Sequence, residues 1–360
     1  MIFNNIDVLQ SNTKLEIVTI AGNRPEIIKL SELVKSLEVN YKSGFVYTGQ
    51  HYSHNMRDVF FDELEVKFDY DLKSSTSDVN VLRKLIQKFL KDTRPKNVII
   101  YGDTNSSLAG ALAAKDTNCV LIHIEAGLRN FNQRFVEESN RVHIDSISDY
   151  LLAPTELAGL FLKYENIHDN VSVTGNLIVD VCRKYAENLE GSPGKNFPSE
   201  YLLLTLHKPA IVEDPQNMKR LCKLLEKIKH KIVFPVHPRT IYNMAKFKIS
   251  LPQNVIRTEA LGYKDFLRLL KNCLLVMTDS GGVQEEAVLL KKPCITLFST
   301  TDRQETILIN ANRLFFPFDN SQSFTDLIEE RLRTKVTINP YGENVTNRVL
   351  KVLNNIVNSV

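Results

Sequence analysis

Six side chains capable of acid–base or phosphate chemistry fall at, or just past, the ends of short apolar runs: Arg24, Asp103, Glu125, His207, His237 and Ser280. In parallel α/β sheets ligands bind at the carboxyl ends of strands, so this placement points to a site. Taken singly, each has an ordinary structural reading. Arg24 can be a surface charge at a helix start, Asp103 and Ser280 can be N-caps, and the two histidines can be buried, hydrogen-bonded imidazoles. The most specific segment is Thr278-Asp279-Ser280-Gly281-Gly282, followed by a helical pattern over Val283–Leu290. Exposed N–H groups and the helix dipole suit a diphosphate there, and Gly281 and Gly282 permit close backbone approach. A capped helix start with no ligand is the alternative. Neither G-x-G-x-x-G nor G-x-x-x-x-G-K-[ST] occurs, which weighs against dinucleotide and P-loop readings. Glu285 and Glu286, one turn in, can reach sugar hydroxyls beside the phosphates; solvated glutamates are the alternative.

A second charged stretch runs through His123-Ile124-Glu125-Ala126-Gly127-Leu128-Arg129 and Glu137-Glu138-Ser139-Asn140-Arg141. On a helix Glu137, Arg141 and Asp145 stand four apart and share a face. That face is either a solvated salt-bridge ladder or a wall of the site.

The elements that must hold these residues alternate. Strands are expected at Leu15–Ala21, Gly44–Thr48, Val98–Tyr101, Val120–Ile124, Leu151–Ala153 and Val171–Val173. A second set follows at Tyr201–Leu206, Lys231–Val236, Leu274–Thr278 and Cys294–Phe298. Helices are expected at about Glu26–Leu37, with Pro25 in a first turn, and at Ser106–Ala114. Continuous apolar strands alternating with helices imply parallel sheets covered on both faces. The breaker-rich stretch Glu190–Ser199 follows a boundary expected near Asn176–Asp180. The economical architecture is two Rossmann-like domains facing across a cleft, residues 1–178 and 179–343, with a last helix at about 344–360.

Composition fits an enzyme of that kind. The chain has 360 residues, 43% of them hydrophobic and 24% charged, more than one core usually supports. With 45 basic and 42 acidic residues, neither nucleic acid nor a membrane surface is the expected partner. Five scattered cysteines include no C-x-x-C pair, so no disulfide framework or zinc site is expected. Met1–Thr13 carries no signal-peptide pattern, and the most apolar stretch, Phe266–Met277, is short and interrupted by charges, so the expected compartment is the cytoplasm.

With these segments in order, the chain resembles the non-hydrolysing UDP-N-acetylglucosamine 2-epimerases. The resemblance rests on Gly22-Asn23-Arg24-Pro25-Glu26-Ile27-Ile28-Lys29, Thr48-Gly49-Gln50-His51, Gly102-Asp103-Thr104, His123–Arg129, Glu137–Arg141 and Thr278–Glu286, and extends to Asn339-Pro340-Tyr341-Gly342 and the helix after it. It implies a glycosyltransferase-B-like fold, usually dimeric, with the last helix returning to the first domain. It implies that Arg24, His237, Ser280, Gly281, Gly282, Glu286 and Arg303 hold the UDP portion of a UDP-sugar. It further implies that Lys29, Asp103, Glu125, Glu137, Arg141 and His207 surround the sugar, with no redox cofactor and no metal.

The implied chemistry has a physical logic. The C2–H of an N-acetylglucosamine unit is not acidic, but expelling UDP from C1 builds an oxocarbenium ion that makes the C2 proton removable. A carboxylate takes that proton, leaving a 2-acetamidoglucal; reprotonation on the opposite face and re-addition of UDP give the manno isomer. Asp103, Glu125 and Glu137 are the candidate carboxylates, with His207 as acid or phosphate contact. Two positions depart from the family pattern: Lys208 follows His207 where arginine is usual, and Phe298 replaces an arginine. Lysine does not replace arginine in bidentate phosphate contact. The alternatives are the same reaction on UDP-2,3-diacetamido-2,3-dideoxyglucuronate, a hydrolysing epimerase, a glycosyltransferase of the same fold, and a silent sugar-nucleotide sensor.

Overall fold

A computed structural model of the chain describes residues 14–49, 61–187, 189, 197–317 and 323–359. Gln50 and His51, most of the breaker-rich stretch and Met1–Thr13 lie outside the described residues. The chain divides into two compact units, Met1–Val181 with Tyr341–Val360, and Cys182–Pro340.

Among the described residues the first unit is built on seven strands: β1 Ile17–Ala21, β2 Ser43–Tyr47, β3 Tyr70–Asp71, β4 Asn97–Tyr101, β5 Val120–Ile124, β6 Tyr150–Ala153 and β7 Val171–Val173. Their spatial order is β3-β2-β1-β4-β5-β6-β7, and every pairing is parallel. All residues of β1 and β4 are buried, as expected where helices cover both faces. Helix α1, Arg24–Asn40, starts in a capping box: Asn23 accepts from the Glu26 amide at 3.0 Å and Glu26 accepts from the Asn23 amide at 3.3 Å. The next helices are α2 Val79–Thr93, α3 Asn105–Asp116, α4 Val136–Ile147, α5 Glu156–Tyr164 and α6 Ile178–Glu187. The small residues of α3 let it lie close on the sheet. A Cβ at Gly110 would stand 3.1 Å from the Ile100 side chain and 3.4 Å from that of Ile20.

The second unit has, among the described residues, six parallel strands: β8 Leu202–Thr205, β9 Ile232–Pro235, β10 Val255–Thr258, β11 Leu275–Thr278, β12 Cys294–Thr296 and β13 Asn312–Leu314, in the order β10-β9-β8-β11-β12-β13. Helices α7 Pro209–Val212, α8 Pro215–Glu226, α9 Pro238–Phe247, α10 Tyr263–Asn272, α11 Gly281–Leu289, α12 Gln304–Leu308 and α13 Phe324–Leu332 connect and cover them. The last helix, α14 Val345–Ser359, returns to the first unit and packs on α1. Three strands go unread in the sequence, β3, β10 and β13, and each is at a sheet edge. Edge strands are short and half-exposed, so their apolar pattern is weak.

Both sheets reverse their winding direction once, between β1 and β4 in one unit and between β8 and β11 in the other. The loops leaving the two central strands diverge there, opening a crevice at the strands' carboxyl ends. No described helix is long and apolar enough to cross a membrane.

Candidate active site

At the reversal point of the first sheet, β1 delivers Gly22-Asn23-Arg24 and β4 delivers Gly102-Asp103. Lys29, on the second turn of α1, places Nζ 2.5 Å from Glu125 Oε1, and both side chains are at most 5% exposed. The Tyr101 hydroxyl donates to the same oxygen at 3.0 Å, and Lys29 Nζ stands 5.3 Å from the Tyr101 ring centre. Glu125 adopts φ +74, the left-handed region that costs a non-glycine residue about 1–3 kcal/mol. Its amide bond to the Leu152 carbonyl, the lysine and the phenol hold it there. Gly102 also has positive φ, and a Cβ on it would approach Glu125 Oε2 to 3.3 Å.

Asp103, the next residue, is held from α4. Arg141 pairs with its carboxylate, and Asn140 Nδ2 donates to its carbonyl at 2.9 Å. Lys29, Glu125, Asp103 and Arg141 therefore meet around Gly102 as two carboxylates, each with its own cation. The anticipated Glu137–Arg141–Asp145 face is divided in three. Glu137 is exposed, in the first turn of α4. Its neighbour Glu138 is the buried one; it lies 3.2 Å from Arg141 and accepts from the Asn130 and Phe131 amides. Asp145 turns inward to His123 and Arg129 at 2.7 Å each. Burial alone would raise the Asp145 carboxyl, but His123 and Arg129 hold it below the usual carboxylate range. An i,i+3 spacing from Glu138 to Arg141 was visible in the sequence; which of two adjacent glutamates turned inward was not.

Arg24 is the first residue of α1 and half-buried, and Glu26 lies fully buried beneath it. Burial pushes the Glu26 carboxyl up to about 7, against the opposing pull of the Gly22 and Asn23 amides and of Thr104 and Ser107. Asn23-x-x-Glu26 is a capping-box signature that identifies this residue from sequence. Asp103 is not the N-cap of α3; Thr104 is, accepting from the Ser107 amide.

In the second unit the reversal point joins His207, after β8, to Asp279 and Ser280, after β11. Buried Asp279 accepts from the amides of His207 at 2.9 Å and Lys208 at 2.7 Å, and its other oxygen lies 2.9 Å from His207 Nδ1. Burial opposes ionisation of Asp279, yet the His207 ring and those amides hold its carboxyl below the usual range. The His207 side chain is 45% exposed, so it is a tethered ring at a surface and not a core imidazole. His237, the exposed N-cap of α9, stands with its ring centre 6.1 Å away. Ser280 is the N-cap of α11 and makes no side-chain capping bond to the helix. A methyl group on Gly282 would meet nothing within 4 Å, whereas one on Gly281 would reach the Arg303 guanidinium at 3.4 Å. Arg303 braces this turn through Glu285 at 2.6 Å and Asp302 at 2.5 Å. Glu285 is fully buried in that bridge, which takes it away from any sugar hydroxyl, and Glu286 is buried on the same helix. The two departures from the family pattern meet each other, with Lys208 Nζ 4.3 Å from the centre of the Phe298 ring. Asp279, Glu138, Tyr101 and the Asp145 cluster are the residues whose part in the site the sequence did not reveal.

A family profile for UDP-N-acetylglucosamine 2-epimerase matches residues 35–354. The chain is 38% identical to the UDP-N-acetylglucosamine 2-epimerase of Methanocaldococcus jannaschii, an alignment covering 94% of this chain and 99% of the relative. It is 35% identical to the UDP-2,3-diacetamido-2,3-dideoxy-D-glucuronate 2-epimerase of Pseudomonas aeruginosa over 89% of this chain and 92% of that one. The crystal structure of the M. jannaschii epimerase in complex with UDP-GlcNAc and UDP superposes with a TM-score of 0.86 at 37% identity, covering 94% of this chain and 99% of that chain.

Proposed function

The chain belongs to the UDP-N-acetylglucosamine 2-epimerase family, and on that premise we propose that it interconverts UDP-N-acetylglucosamine and UDP-N-acetylmannosamine without hydrolysis. The observation that carries this reading is the pair of cation-clamped carboxylates, Lys29–Glu125 and Arg141–Asp103, gathered around one glycine at a sheet reversal point. Inversion at C2 needs proton removal on one face of the sugar and return on the other, and two separately held carboxylates suit that demand. Glu137 and His207 stand in reserve as proton carriers, since both are exposed to solvent at least in part.

The α11 start supports the leaving-group half of the reaction. As the C1–O bond breaks, its electron pair departs with the diphosphate, whose charge is stabilised by N–H groups at a helix amino end and by neighbouring cations. Ser280, Gly281 and Gly282 supply the helix start, with Arg24, His237, Glu286 and Arg303 as the further UDP contacts. Proton loss from C2 then closes the C1=C2 double bond of the glycal, and the reverse sequence restores the UDP-sugar with C2 inverted. No redox cofactor enters this balance. The protein so read is a cytoplasmic homodimer serving polysaccharide biosynthesis.

The decisive experiment is incubation with UDP-N-acetylglucosamine in deuterated water. Deuterium at C2 together with the manno isomer is expected; UDP released in step with substrate loss, or no exchange with any UDP-sugar, overturns the reading. A second substrate, UDP-2,3-diacetamido-2,3-dideoxyglucuronate, is favoured by the P. aeruginosa relative and by the exposed Arg239 next to His237, a cation able to meet a uronate. Exchange rates measured side by side on the two substrates separate them.

A further inference from the structure

His123, on β5, is completely buried, and both of its ring nitrogens face oxygen atoms that can only accept or are held as acceptors. Nδ1 lies 2.7 Å from Asp145 Oδ1, and Nε2 lies 2.9 Å from the Gly102 carbonyl oxygen. A neutral imidazole carries one N–H and one lone pair. Either neutral tautomer would press that lone pair against the carbonyl or against the carboxylate, at distances that leave no room for a group between them. A proton on Asp145 Oδ1 would satisfy the ring, donating to Nδ1 while Nε2–H donates to the Gly102 carbonyl, but it would discard the ion pair to buried Arg129 at 2.7 Å.

The groups that face this cluster are Asp145 from α4, Arg129 from the loop after β5 and Glu165 at the end of α5, which binds Arg129 at 2.6 and 2.5 Å. Glu165 is exposed, so its charge is met by solvent as well as by Arg129, whereas Asp145 and Arg129 are buried as a balanced pair; the proton on the ring is therefore assigned by its two acceptors and not by a count of charges.

We infer that His123 is a buried imidazolium that acts as a positioning residue, tying α4 to the Gly102 carbonyl and thereby fixing Asp103. Asp103 is then held at three points: its carboxylate by Arg141, its own carbonyl by Asn140, and the preceding carbonyl by His123. Two of these points, Arg141 and Asn140, belong to α4, and the third is linked to α4 through Asp145. The ring never touches the substrate; it sets where the carboxylate stands. Its catalytic consequence rests on the epimerase reading, whereas its charge does not.

Two substitutions divide the ring's bonds. In His123→Asn the amide nitrogen can replace Nδ1 and keep Asp145 while the Gly102 bond is lost; in His123→Gln it can replace Nε2 and keep Gly102. Side-chain 15N NMR of histidine-labelled wild-type protein at neutral pH, with the His123 signal assigned by its absence in either variant, should show two proton-bearing ring nitrogens. One unprotonated nitrogen there overturns the assignment, and this measurement needs no substrate and no variant activity. For positioning, H123N should lower kcat by about 10- to 100-fold with KM changed less than about threefold, and H123Q should recover at least part of the loss, although both melt earlier than wild type. Equal losses in both variants, or none, reject positioning. Wild-type enzyme that fails to exchange deuterium at C2 sinks the epimerase reading alone and leaves the imidazolium result standing.

Discussion

The Lys29–Glu125 pair gives two nearly buried groups each other as partner. The lysine supplies the countercharge and Tyr101 donates a second bond to the same oxygen, the partners that a buried carboxylate requires. Removing one partner of such a pair is costlier than removing both. Lys29→Met should destabilise the fold by about 3 kcal/mol and lower C2 exchange by about 100-fold or more. The double variant Lys29→Met with Glu125→Gln should recover most of the stability and none of the turnover. Urea unfolding and deuterium exchange on the two proteins check this; stability that stays low in the double variant refutes it. Glu125 was legible from sequence as a strand-end acid, and Lys29 only through the resemblance. Their contact joins positions 96 residues apart and follows from β4 lying between β1 and β5 in the sheet.

At the scale of elements, the start of α11 combines a strand end, a helix dipole and a glycine whose missing side chain leaves open space. Gly282 has no positive φ, so conformational freedom is not the reason for a glycine there. The close approach of UDP proposed above is a reason that fits the open space. Gly282→Ala should leave the melting temperature unchanged or slightly higher, because alanine is the better helix former, yet weaken UDP binding by about tenfold or more. Calorimetric titration with UDP beside a thermal melt tests this, and unaltered affinity refutes it. Gly127 is the opposite case, with φ +82 and a Cβ that would fall 2.3 Å from the Ala158 carbonyl. Gly127→Ala should cost about 3 kcal/mol or more, through backbone strain and a clash that α5 cannot relieve, and the urea midpoint reports it.

The whole molecule depends on its last element and on pH. Helix α14 buries Val345, Val349, Leu353 and Ile356 within the first unit. Four such side chains contribute about 6–12 kcal/mol, comparable to the entire stability of an ordinary domain. A chain ended after Pro340 should therefore fail to yield a folded first unit, as read by circular dichroism and limited proteolysis. The pH dependence has two limbs. Asp145 and Asp279 have depressed carboxyls, so the stability they contribute is present above the ordinary carboxylate range and is lost as pH falls through their folded values. Glu26 has the opposite sign. Its carboxyl rises from 4.5 to about 7 on folding, so its contribution is complete below about 4.5 and is lost as pH rises to about 7, a change of about 3 kcal/mol. Glu26→Gln should remove the decline on that side. Urea midpoints across pH should show a slope between about pH 4.5 and 7 that is flatter in the variant; identical slopes refute the account.

The sequence by itself determined the class of fold, the strand ends at which the chemistry sits and the phosphate-suited turn, because these depend on local periodicity, breakers and helix-start signals. It determined β5 to the residue, since a buried strand carries an unbroken apolar run, and β7, an edge strand, through its two valines; it missed the edge strands β3, β10 and β13, whose apolar pattern is weak. Only the tertiary structure decided that Glu138 and not Glu137 faces Arg141, that Glu285 is spent on Arg303, and that Asp145 reaches His123. Those outcomes turn on which of several equally spaced side chains meets a partner on another strand. Helical spacing places Glu137 and Glu138 equally well near Arg141; the loop after β5, whose Asn130 and Phe131 amides point at Glu138, makes the choice.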